Sequence, residues 1–109
     1  HPDDLFALVE EQAKHPGRWT GEIFNAGGGM TGSTSLVEYT RLCEEATGHT
    51  IEMGSVPETR PADIPYFIAD NAKASAAFDW EPQKTARDIV FDIHAWLSAN
   101  HDLVRNVFT

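Results

Sequence analysis

The sequence predicts an α+β fold: a mainly helical small domain with a few short strands. Three observations carry this. Four segments repeat apolar residues at helical spacing behind capping residues. Between them lie short β-like runs bounded by turn residues: EIFN at 22–25, TIEM at 50–53 and YFIA at 66–69. The chain has 109 residues, 41% of them hydrophobic, with three Trp and six Phe. That is the size and composition of a single domain, 1–109, with its own core.

The helices follow in order. Leu5, Leu8, Val9 and Gln12 share a stripe, Asp3 and Asp4 sit where carboxylates favour the helix dipole, and HPG at 15–17 ends the segment. In the second helix Ser35 and Glu38 have capping-box spacing, and Leu36, Tyr39, Cys43 and Ala46 form the apolar face up to Gly48. The third runs from Asp70 as N-cap through AKASAAF to the DWEP turn. The last carries the clearest pattern: after the cap pair Thr85 and Asp88, residues Ala86, Ile89, Val90, Ile93, Trp96 and Leu97 repeat as a core-facing stripe. The segment GSVPETRPADIP, with three prolines, is irregular and long enough to invite a functional role.

Charge narrows the partners. With 17 acidic against 8 basic side chains the net charge is −9, which disfavours nucleic-acid and membrane-surface binding. No apolar run is long enough to span a bilayer. Cys43 is the single cysteine and has no metal-ligand companion, so it reads as a small packing residue in a reducing, cytoplasmic setting. The chain opens on HPDD, which is not a signal peptide, and lacks an initiating methionine, as if cut from something longer. No His spacing suggests a metal site. His1 with Asp3 and Asp4 is explained more cheaply by helix N-terminal carboxylates, and His94 flanks the apolar stripe of the last helix.

GGGMTG at 27–32 reads as GxGxxG, a dinucleotide fingerprint in letters. A fingerprint needs its last glycine in the first helical turn and a continuously apolar strand before it. Here STS intervenes, EIFNA alternates, and too few strands follow Glu52, the nominal ribose acid, for a doubly wound domain. The glycines read instead as a tight turn.

Arg60 and Asp63, in TRPADIP, form the most informative polar pair. A guanidinium suits a phosphate, and a carboxylate three residues on can accept from vicinal ribose hydroxyls. The same pair can also be a local ion pair that only stabilises its loop.

FNAGGG, the SLVEYTRLCEEATG helix and ETRPADIPYFIADNAKASAAFDWEP occur in an order that resembles the C-terminal part of Rossmann-type extended short-chain dehydrogenase/reductases acting on nucleotide sugars. These are the NAD-dependent epimerases and dehydratases, and the GGG and ETRPAD forms look closest to the CDP-tyvelose (CDP-paratose) 2-epimerase branch. HPDDL looks like the family's HxxD segment. RPAD, YFIAD, NAKA and DWEP stand for its RPGD, aromatic strand, D/N-x-x-K-A and GWxP, with Ala62 and Asp79 in place of two glycines. The resemblance implies a nucleotide-diphosphate sugar as substrate, held by Arg60 at the diphosphate and Asp63 at the ribose. Lys73 and Trp80 match the pattern and read as structural, Lys73 solvated on a short helix and Trp80 packed between helices. The family's GxxGxxG loop and YxxxK pair have no counterpart here: Tyr39 is followed by Cys43, and Tyr66 by Asp70. The implied picture is therefore a substrate-binding domain without catalytic or NAD-binding residues, whose parent is an isomerase or lyase binding NAD elsewhere. An exposed apolar face for the missing domain implies a homodimer or higher oligomer. The alternative is a non-catalytic ligand-binding or protein-interaction module.

Overall fold

The computed structural model describes residues 1–105 and 107. Its contacts divide the chain into two compact units, both discontinuous in sequence. One joins His1–Ser33 to Arg60–Thr85; the other joins Thr34–Thr59 to the residues from Ala86 onward.

In the first unit, α1 spans Pro2–Lys14. Proline opens it, where its missing N–H costs nothing, and His1 Nδ1 accepts the Asp3 N–H at 3.1 Å. Pro16 stops it at His15, and a 3₁₀ turn at Pro16–Arg18 redirects the chain. Only Leu8 of the apolar stripe is fully buried, while Leu5 and Val9 are more than half exposed. Leu8 packs with Ala74, Phe78 and Trp80, and Phe24 closes the cluster edge-on to Phe78 at 5.3 Å. α3, Ala72–Phe78, is alanine-rich, and Ala74 is completely buried in this cluster. Its N-cap position is Asn71 rather than the expected Asp70, although Asp70 Oδ1 still accepts the Ala72 N–H at 2.9 Å. Asp79 ends the helix in the left-handed region, φ 52°, which aspartate tolerates.

In the second unit, α2 is Leu36–Thr47, with the Ser35–Glu38 capping box formed in both directions and Gly48 closing the helix at φ 72°. α4, Ala86–Ala99, and the short α5, His101–Val104, follow. α2 and α4 pack together, joined by a bidentate ion pair in which Arg87 meets both Glu45 oxygens at 2.6 Å. The Arg87 guanidinium also lies 4.4 Å from the Phe91 ring. Val90 is the buried residue of α4. Cys43 is half-buried and free.

The expected strands at 22–25, 50–53 and 66–69 do not form: among the described residues the chain is helical, without strands. A strand exists only by pairing its backbone with another. At 22–27 side chains take the backbone instead: Lys73 Nζ donates to the Ile23 carbonyl, and Asn71 takes both backbone groups of Gly27. No helix among the described residues is long and apolar enough to cross a membrane.

Candidate functional site

The glycine stretch is held from the outside and folded on itself. Asn71 Oδ1 accepts the Gly27 N–H at 3.0 Å and its Nδ2 donates to the Gly27 carbonyl at 2.7 Å, so one amide side chain satisfies a whole peptide unit's worth of polar groups. A Cβ at Gly27 would stand 2.7 Å from Ala69 Cβ, which explains the glycine. Gly32 N–H closes onto the Gly28 carbonyl at 3.1 Å, with Gly29 at φ 63° between them. The helix that follows begins only at Leu36. These residues therefore do not fit an NAD pyrophosphate, which needs free amides at a helix start beside the last glycine. What the loop does make is one wall of an open groove of about 630 Å³, whose other wall is Phe67–Asp70.

Arg60 and Asp63 are brought together, but not as an ion pair. The Arg60 N–H donates to Asp63 Oδ2 at 3.2 Å, and the Asp63 N–H donates to the Arg60 carbonyl at 3.0 Å. A carboxylate and a backbone bond thus lock a tight turn around Pro61 and Ala62. Among the described residues the guanidinium of Arg60 has no hydrogen-bond or ion-pair partner, and both residues are exposed. Physically, the turn carries a cationic fork and a second carboxylate oxygen within four residues, groups whose chemistry suits a phosphate and a diol.

Three structural residues of this unit carry more than the sequence reading gave them. Asp4 is buried: its carboxylate accepts the Gln83 N–H at 2.9 Å and the Lys84 N–H at 3.2 Å, and its carbonyl accepts the Trp80 indole N–H at 2.8 Å. The DWEP turn is therefore fastened to the HPDD start. Lys73 is not merely solvated: besides the Ile23 carbonyl it meets Glu22 Oε1 at 3.3 Å and stands 4.8 Å from the Phe24 ring. The Thr20 hydroxyl and then Lys73 hold the Glu22 carboxyl below the usual carboxylate range. Asn71 falls in the NAKA segment, but nothing in the sequence marked its contact, because its partner lies 44 positions away with no periodic relation. Among the described residues no His, Cys, Asp and Glu group could hold a metal ion.

Over 99 residues, 91% of the chain, 30% of positions are identical to the CDP-paratose 2-epimerase of Salmonella typhi. The chain resembles part of that epimerase. It spans only 29% of the relative's length. No family model matches the chain. No solved structure matches it either. The epimerase-like stretch takes in most of both compact units, since at most a tenth of the chain lies outside it.

Proposed function

We propose that this chain is the nucleotide-sugar-binding portion of an NAD-dependent sugar-nucleotide epimerase or dehydratase. Arg60 pairs with the diphosphate and Asp63 accepts from the ribose hydroxyls. The observation that carries the reading is the Arg60–Asp63 turn: one carboxylate oxygen holds the corner, while the guanidinium has no partner among the described residues. A loop-stabilising ion pair would have consumed that guanidinium. The epimerase similarity supports the choice of ligand, because the relative's name states a CDP-linked sugar.

The division of labour follows from the residues present. The net charge of −9 would repel an anionic substrate at long range, so affinity must come from a few close contacts on a fixed frame. The turn supplies that frame: Pro61 fixes one backbone angle and the two Arg60–Asp63 bonds fix the rest. Oxidation and reduction of the sugar belong to bound NAD in the remainder of the parent protein, in a cytoplasmic setting. Self-association through exposed apolar side chains belongs to the same reading.

The test is Arg60→Ala in the full-length protein, assayed for binding and turnover of CDP- and UDP-linked sugars. Losing one charged hydrogen-bonding contact to phosphate weakens binding by about 1.5–3 kcal/mol, or roughly 10- to 150-fold in KM or Kd. Folding stability should stay unchanged, since the guanidinium holds nothing else among the described residues. Unaltered affinity in the variant overturns the assignment.

A further inference from the structure

From Arg60 to Ile68 every residue is exposed, including Tyr66 at 87% and Phe67 at 83%. The hydrogen bonds of this stretch are those inside the Arg60–Asp63 turn; the next fixed points lie downstream, where Ala69 abuts Gly27 and Asn71 clamps it. Beyond that turn, Ile64–Ile68 has no buried side chain and a solvent-facing backbone, so little holds it locally and it opens at low free energy. Pro65 limits the conformations it can lose on ordering. Its far end, Phe67–Asp70, is already a wall of the 630 Å³ groove beside the glycine loop, and Phe67 lines that groove while most of its surface stays in water.

We infer that Ile64–Ile68 is a strap that orders when the nucleoside diphosphate engages the Arg60 turn at its upstream end, drawing Phe67 further over the glycine groove as it closes. The inference rests on the Arg60 reading and adds a conformational consequence to it. The phosphate contact fixes the upstream end of the strap and Asn71 fixes the downstream end. A segment pinned at both ends has few conformations left, and those that bury Phe67 gain the area of an aromatic ring, about 150–250 Å², from water. Ligand binding and burial of Phe67 are then linked: each favours the other by the same factor.

Hydrogen exchange read by mass spectrometry on the full-length protein tests this, with CDP and, in a second arm, UDP as the probe. Without nucleotide, amides 64–69, apart from Pro65, should exchange near the rates of an open chain. At saturating CDP they should slow by at least about 10-fold while α2 stays unchanged. Phe67→Ser should lower that protection while leaving a folded protein, since Phe67 is exposed beforehand. Slow exchange already present without nucleotide overturns the strap. So does CDP binding that Arg60→Ala weakens without any change in the exchange of 64–69, and in that case the Arg60 role stands. Binding of neither nucleotide takes down the Arg60 role and the strap together.

Discussion

Gly27 allows a decisive experiment, because its neighbour on the far side is a single methyl. In Gly27→Ala the new Cβ would lie 2.7 Å from Ala69 Cβ. That is roughly 1 Å inside the ordinary carbon–carbon contact of about 3.5–4.0 Å. Neither atom is the end of a flexible side chain, so the backbone must move, and Asn71 opposes the movement with bonds of 3.0 and 2.7 Å. Overpacking of this kind costs about 1–3 kcal/mol, and weakening the two hydrogen bonds adds about 1 kcal/mol more. The expected loss is therefore about 2–4 kcal/mol. Ala69→Gly alone should cost about 1 kcal/mol, through backbone entropy. The double variant removes the clash while keeping the Asn71 bonds, so it should be more stable than the sum of the singles by about 1–3 kcal/mol. Urea denaturation followed by the fluorescence of buried Trp80 reads all three proteins. Strict additivity, or a Gly27→Ala variant as stable as the parent, would refute the close-packing account of the glycine loop.

Two further perturbations address other parts of the frame. Asp4→Ala leaves the Gln83 and Lys84 amides without their acceptor and should cost about 2–4 kcal/mol, with Asp4→Asn in between; an unchanged urea midpoint would sink the clamp. In the second unit, the hydrogen bond from Arg87 holds the Glu45 carboxyl below its ordinary value of 4.5, and the Ser35 backbone N–H and hydroxyl do the same for Glu38. Both carboxyls are depressed in the folded state, so their contribution is complete above 4.5 and fades as the pH falls through the folded values. Circular dichroism of an acid titration should show helix loss setting in below that point, with a shallower decline in Glu45→Gln; superimposable curves would count against the ion pair.

How much was legible follows from the range of each interaction. α2 could be read nearly to its ends because Ser35, Glu38 and Gly48 act on backbone groups within one turn of themselves. Spacing encodes such contacts. The β-like runs misled because alternation marks a segment suited to a strand but says nothing about a partner, and at 22–27 side chains from α3 take the backbone instead. At the candidate site, the spacing of Arg60 and Asp63 pointed to a local ion pair or a ligand-binding pair, but not to which atoms meet: the backbone amide, not the guanidinium, binds the carboxylate. Asp4 was read through its own helix, where a carboxylate near the N-terminus is sufficient explanation. Its partners 79 and 80 positions away leave no trace in local pattern. The Asn71 contact was silent for the same reason.

The Asp4 clamp also sets an order of events. Its bonds join the first turn of α1 to Trp80, Gln83 and Lys84, spanning 76 to 80 positions, and the first half of the other unit is threaded between the two strands of sequence they connect. Closing so long a loop is entropically costly and comes late, after shorter-range contacts have formed. During synthesis, α1 must therefore wait, with Leu8 uncovered, until the ribosome has delivered Trp80 and Phe78. Slowing translation between those points should lengthen the interval in which a chaperone finds that surface.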